Sequence, residues 1–217
     1  LGPVPPSEFI PLAEAIGLIG LFGAWALQEA CARTAAWRRE HGRDLGVSVN
    51  ISPYQLRNAR GLVEDVLRAL KASQLPAEAL ELELTESAFI DASEESLAAL
   101  RELRSLGISI ALDDFGTGYS SLGYLRRLPV DCLKVDRSFV ADLPGAENAR
   151  QLLQAILGVA RALRLRTVAE GVETASQLAL LGEEGCDEAQ GFLISRPVPA
   201  AEFAALLGEP AVALKRA

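Results

Sequence analysis

Ile108-Ser-Ile-Ala-Leu-Asp-Asp-Phe-Gly-Thr-Gly118 is an apolar run with β-branched residues that breaks into two adjacent carboxylates and a glycine-rich turn. Ile108–Leu112 reads as a strand, a short helix is predicted over Ser120–Leu128, and Cys132–Val135 reads as the next strand. Strand, helix and strand in that order build a parallel sheet with its helices packed outside. The same alternation extends in both directions. Upstream, Val47–Ile51 and Ala79–Leu84 have strand character, with helices predicted over Gln55–Ala72 and Ser93–Leu106. Downstream, strands are predicted at Arg166–Ala169 and Glu188–Ile194, and helices at Ala149–Leu163, Ser176–Leu181 and Ala200–Leu207. The chain opens on a helical stretch N-capped by Ser7 that keeps its apolar spacing to Trp37 and stops at His41-Gly42.

Six strand–helix units fit either an open doubly wound sheet or a closed (β/α)8 barrel. The polar residues favour the barrel, because each strand carries them at its carboxyl end. The ends are Asn50, Glu83-Leu-Thr-Glu86, Asp113-Asp114, Lys134 with Asp136, Glu170-Gly-Val-Glu173, and Gln190-Gly191. In a barrel such ends converge on one face as a ring, whereas an open sheet strings them along a line. The expected fold is therefore α/β, a TIM-like (β/α)8 barrel.

Composition narrows the chemistry. The 217 residues are 50% hydrophobic and 23% charged, which excludes disordered, collagen-like and coiled-coil chains. A net charge of −8 and a pI near 4.8 argue against binding a nucleic-acid polymer through counter-ion release. The single histidine, His41, disfavours a Ser-His-Asp triad or a multi-histidine zinc centre. Cys31, Cys132 and Cys186 form no CxxC pair, which suggests a reduced, cytoplasmic setting. The longest uncharged apolar run, Ala15–Leu27, is too short to span a membrane, so no membrane contact is expected of this domain.

Glu83, Asp113, Asp114 and Glu170 offer hard carboxylate oxygens, and Asn50 adds a carbonyl. That donor set suits Mg²⁺ or Mn²⁺ better than zinc. Adjacent aspartates can hold two ions through one bridging carboxylate, and two metals about 3.5–4 Å apart clamp an in-line phosphoryl displacement. Lys134, flanked by Leu133 and Val135, can orient the attacking water or stabilise developing charge. Taken singly, each residue has a plainer explanation: a helix cap for a lone carboxylate, turn glycines at Gly116 and Gly118, a snorkelling lysine at a barrel end. Their co-occurrence on the same side of successive strands is what points to a site.

Asp113-Asp-Phe-Gly-Thr-Gly-Tyr-Ser-Ser121, Leu133-Lys-Val-Asp136 and Ala169-Glu-Gly-Val-Glu173 together resemble the EAL-domain family of cyclic di-GMP phosphodiesterases. So do Val49-Asn-Ile-Ser52, Glu83-Leu-Thr-Glu-Ser87, Gln190-Gly-Phe-Leu-Ile-Ser-Arg-Pro197 and the opening Pro6-Ser-Glu-Phe-Ile-Pro-Leu-Ala-Glu14. The resemblance covers essentially the whole chain. It implies a modified (β/α)8 barrel with one antiparallel strand, and hydrolysis of cyclic di-GMP to linear pGpG with two Mg²⁺ or Mn²⁺ ions. Asn50, Glu83 and Asp113 would hold the first ion. Asp113 would bridge to a second ion served by Asp114 and Glu170. Lys134 would hold the water nucleophile, and Gln190 would help fix that water or the phosphate. Glu86 would anchor the loop Asp114–Ser121, with Asp136 and Glu173 in support.

The family's Glu-Ala-Leu-x-Arg strand belongs upstream of the Pro6-Ser-Glu-Phe block, and Glu78-Ala-Leu80 sits in a different strand. The first two barrel strands are accordingly expected to lie before Leu1, with a metal-binding Glu and a phosphate-binding Arg. The sequence also lacks methionine, even at position 1, and is expected to be one N-terminally incomplete domain of a longer signalling protein with a sensory or GGDEF-type domain upstream. A homodimer through the loop after Asp114 and its neighbouring helix is implied. The alternative function is a cyclic di-GMP receptor that binds without cutting.

Overall fold

The computed structural model describes residues 2, 4–116, 122–145 and 147–207. The chain divides into two compact units, Leu1–Ile110 and Ala111–Ala217, with the boundary inside a strand.

In the first unit, α1 (Pro6–Ala15) and α2 (Ile19–His41) are separate helices. The single helical stretch expected here is broken at Gly17, whose φ of 75° lies in the left-handed region. Ser7 is not the cap: the helix begins at Pro6, and Pro5 precedes it with no side-chain cap. Gly42, at φ 60°, ends α2 in a left-handed C-cap, as the His41-Gly42 pair predicts. β1 (Val47–Asn50) follows, then α3 (Pro53–Arg57) and α4 (Ala59–Ser73). These two helices replace the one predicted over Gln55–Ala72. Asn58 leaves helical geometry (φ −91°, ψ 61°) and its side chain accepts from the Gly61 N–H, so it closes α3 and caps α4 at once. Ser52 and Gln55 form a reciprocal capping box at the start of α3.

β2 (Leu80–Thr85) pairs with β1 in parallel register and leads into α5 (Glu86–Ile90), a short helix that the sequence pattern does not reveal. α6 (Glu94–Ser105) is capped by Ser93. Leu80, Leu82, Glu83 and Leu84 are all buried, the two-sided burial of a strand covered by helices rather than the alternation of an open face. Leu27, Leu56, Val66, Phe89, Leu100 and Leu103 supply the helical side of this core.

The strand β3 (Ser109–Phe115) crosses the boundary, running three residues further than expected. The second unit continues with α7 (Leu122–Leu125), β4 (Cys132–Val135), α8 (Glu147–Leu163), β5 (Arg166–Ala169), α9 (Ala175–Glu183), β6 (Glu188–Ala189) and α10 (Ala200–Leu206). A 3₁₀ turn at Arg137–Phe139 follows β4. β3, β4, β5 and β6 pair in parallel, in chain order. β6 is two residues long, not the seven predicted to Ile194, because the chain turns back at Gly191: Ile194 and Ser195 both donate to its carbonyl. Ala111, Cys132, Leu133, Leu153, Leu157, Ala169 and Leu181 form the core of this unit. Cys31, Cys132 and Cys186 are free thiols, each buried within its unit. Burial pushes the Cys31 thiol up to about 11. No helix among the described residues is long and apolar enough to cross a membrane.

Candidate active site

Two adjacent strand residues normally face opposite sides of a sheet. Asp113 and Asp114 escape that rule. Leu112 is opposite Leu133 and Phe115 is opposite Val135, so β3 spends three steps where β4 spends two, and the extra residue forms a bulge at the aspartate pair. Asp114 adopts φ 55°, a left-handed conformation that Asp tolerates better than most residues, and its N–H donates to Asp113 Oδ1 at 3.0 Å. Gly116 then takes φ 96°, where a Cβ would come within 2.6 Å of the Phe139 ring. The contortion brings one carboxylate oxygen each from Asp113, Asp114 and Glu170 within 4.8 Å of one another.

β4 places Lys134 beside them. Every residue of this strand is buried, and the lysine side chain is only 5% exposed. Its Nζ lies 2.7 Å from Glu170 Oε1 and 3.2 Å from Asp113 Oδ1. Burying an ammonium unpaired is costly, and two carboxylates offset that cost here. The lysine therefore does not snorkel to solvent. Glu170 stands one residue past β5, its N–H bound to the Val135 carbonyl at 3.0 Å, so the β4–β5 ladder itself fixes where the carboxylate begins. Burial raises the Asp114 carboxyl above its ordinary range, the nearby charges of Asp113 and Asp136 raise it further, and Lys134 partly opposes them. For Asp136, burial pushes upward, but hydrogen bonds from Ser138 and Arg137 and the Arg137 charge outweigh it and hold the carboxyl low. Asp136 caps the 3₁₀ turn through the Ser138 N–H.

Gln190 sits just beyond β6 with an exposed side chain. Its backbone is firmly placed: the N–H donates to Ala169 at 2.8 Å and the carbonyl accepts from Val172 at 3.0 Å. A Cβ on the next residue, Gly191, would overlap the Val172 backbone, so only glycine allows this approach. Glu173 is exposed, and what the structure shows of it is a backbone contact to Gln177.

In the first unit, Asn50, the last residue of β1, is the register partner of Glu83 inside β2; Asn50 is exposed and Glu83 is buried. Glu86 is buried in the first turn of α5. The loop it was expected to anchor includes Thr117–Ser121, which lie outside the described residues, as does that part of the expected dimer contact. Sequence reasoning missed the bulge and missed Gln177, although Thr174-x-x-Gln177 has the spacing of a capping box.

A family model described as the EAL domain matches residues 1–197. The chain belongs to the EAL-domain family. This EAL domain is 46% identical, over 200 residues, to the cyclic di-GMP phosphodiesterase NbdA of Pseudomonas aeruginosa, covering 92% of this chain and 25% of that protein. It is 41% identical to the cyclic di-GMP phosphodiesterase PdeR of Escherichia coli, covering 93% of this chain and 30% of that one. The chain thus spans 25% and 30% of the length of these two relatives. Among solved structures, a cyclic di-GMP complex of the PaMucR phosphodiesterase superposes with a TM-score of 0.86 at 43% identity, covering 92% of this chain and 81% of that one. The fold is accordingly the α/β, modified TIM-barrel type of EAL structures, as the strand-end pattern predicts.

Proposed function

We propose that this EAL domain hydrolyses one phosphodiester of cyclic di-GMP to give linear pGpG, with Mg²⁺ or Mn²⁺ as its cofactor. The observation that carries this is Lys134, held between Asp113 and Glu170 with Asp114 alongside. The relatives named as cyclic di-GMP phosphodiesterases, and the solved complex with that nucleotide, support the substrate.

The donor set fits a hard divalent cation: three carboxylates converge, and no histidine or cysteine joins them among the described residues. Asp113, Asp114 and Glu170 would hold the ions, and the family resemblance extends ligand roles to Asn50 and Glu83. Bound divalent ions neutralise phosphate charge and lower the pKa of water. The chain's own residues do the rest. Glu170 and Asp113 hold the Lys134 ammonium between them. Lys134 is a preorganised donor for the water and for the charge that builds as the P–O bond breaks. Gln190, on its fixed backbone, would orient the water or a phosphate oxygen. Glu86, Asp136 and Glu173 are proposed as supports of this machinery. A cytoplasmic location and a homodimer, with a sensory or GGDEF-type domain in the same protein, belong to the same proposal; the Pseudomonas aeruginosa relative MucR is named a bifunctional diguanylate cyclase and phosphodiesterase.

The test follows pGpG by chromatography after adding cyclic di-GMP with Mg²⁺, Mn²⁺ or excess chelator to the longer protein that carries the expected upstream Glu-Ala-Leu-x-Arg strand. Product with either ion and none with chelator is expected. Tight binding with no product under any ion identifies a receptor and overturns hydrolysis.

A further inference from the structure

Gln177 has no place in the chemistry above, yet it is 5% exposed and makes more polar contacts than a helix cap requires. It is the N3 residue of α9, and Thr174 caps that helix by accepting from the Gln177 N–H at 3.2 Å. The Gln177 side chain returns the bond: Oε1 accepts from Thr174 N–H at 3.0 Å and from Glu173 N–H at 2.8 Å. Its amide nitrogen then reaches away from the helix. Nε2 donates to the Val140 carbonyl at 3.0 Å, thirty-seven residues earlier and just past the 3₁₀ turn that follows Lys134. One buried side chain therefore ties the connection carrying Glu170 to the connection leaving β4.

The segment it ties, Glu170–Thr174, is gripped from other directions as well. Glu170 N–H is bound to Val135, and Val172 is bound through its N–H to Gln190 and through its carbonyl to Leu193. Gly171 takes φ 68°, where a Cβ would come within 2.5 Å of Arg137 Cβ, so the segment lies directly on the 3₁₀ turn. The 2.7 Å contact between Glu170 and Lys134 starts from the first residue of this segment. We infer that Gln177 is a positioning residue, which holds the Glu170–Thr174 segment against the β4 exit and thereby keeps Glu170 in reach of Lys134. The inference rests on the function proposed above.

Three variants separate this role from simple capping. A capping box accepts Glu as readily as Gln, so Gln177→Glu keeps the cap but loses the donor to Val140. Gln177→Leu loses the returning Oε1 bonds as well as the donor to Val140, and Thr174→Ala loses the hydroxyl cap while keeping the tether. The readouts are Mn²⁺ affinity by calorimetry, kcat and KM for cyclic di-GMP, and amide hydrogen exchange across 170–174. Partners that orient metal-site groups from behind typically change metal affinity or activity by about 10–100-fold. Gln177→Glu and Gln177→Leu are expected to weaken Mn²⁺ by at least about tenfold, to lower kcat with KM nearly unchanged, and to speed exchange in the segment. Thr174→Ala is expected to lower Tm and leave Mn²⁺ affinity and kcat near the parent's. Mn²⁺ affinity and kcat at parental values in Gln177→Glu would reduce the residue to a cap and overturn the inference. Unchanged exchange in both Gln177 variants overturns it whatever the parent does with substrate, whereas a parent that neither takes up Mn²⁺ nor cleaves cyclic di-GMP overturns the functional proposal by itself.

Discussion

Asp114 and Gly191 show how much of this site depends on single backbone positions. Asp114 holds its proton above the ordinary aspartate range, first because its surroundings partly desolvate it and then because Asp113 and Asp136 face it with like charge. The folded state thus binds that proton more tightly than the unfolded chain does. In the ion-free protein this group's contribution to stability is present at low pH and is lost as pH rises through its raised value. A divalent ion must displace the same proton, so Mn²⁺ affinity should begin to fall, on acidification, at a pH where an ordinary aspartate is still ionised. Titrations stepped down from neutral pH check this. The acid limb should flatten and affinity should drop in Asp114→Asn, and an unchanged limb in that variant would remove Asp114 from the ion site. Gly191 makes a different demand. The obstacle to a Cβ there is backbone of Val172, which cannot swing aside as a side chain end can. Overpacking of this kind costs about 1–3 kcal/mol, so Gly191→Ala should lower Tm and displace Gln190, with kcat falling alongside. A Gly191→Ala protein with parental Tm and kcat would mean that the segment has slack.

At the scale of elements, β4, β5, α6, α8 and α10 fall within two residues of the sequence pattern, whereas β6 and the two N-terminal helical stretches do not. β4 and β5 match their predicted spans. The long N-terminal helix and the Gln55–Ala72 helix were each drawn as one because apolar spacing continues smoothly through Gly17 and Asn58. What divides them is local chemistry: a left-handed glycine in one case, an asparagine that caps its own following turn in the other. The carboxylates of the candidate site were legible from composition and strand ends. Their geometry was not, because the bulge that turns Asp113 and Asp114 toward one side depends on pairing between strands, which no spacing in one segment displays. Two stability measurements probe the elements themselves. Ser52 Oγ accepts from the Gln55 N–H at 3.2 Å, and loss of such a cap costs about 1 kcal/mol, so Ser52→Ala should lower Tm modestly. Leu82, fully buried in β2, should cost about 2–5 kcal/mol as Leu82→Ala. If the two variants unfold at the same denaturant concentration, the burial assigned to β2 is wrong.

The whole molecule is an acidic chain, net charge −8, proposed to act on a dianionic nucleotide. Cations must reconcile the two, and Lys134 is the protein's own contribution among the carboxylates. On the proposed function, divalent ions held by the carboxylates would bind the phosphodiester with or without that lysine. Its ammonium matters chiefly when negative charge builds during attack, and interactions made only in the transition state change kcat while leaving binding nearly alone. The deciding measurement, made in the longer protein that carries the expected upstream Glu-Ala-Leu-x-Arg strand, is a single-turnover assay in Mg²⁺ that follows pGpG in the parent and in Lys134→Ala, with cyclic di-GMP binding titrated in Ca²⁺ alongside. Losing one preorganised donor typically costs about 10²–10³ in rate, so the variant should bind cyclic di-GMP like the parent yet cleave it at least about a hundredfold more slowly. Equal cleavage rates in parent and variant would contradict the account, because the buried lysine would then hold its carboxylates in place without taking part in the reaction.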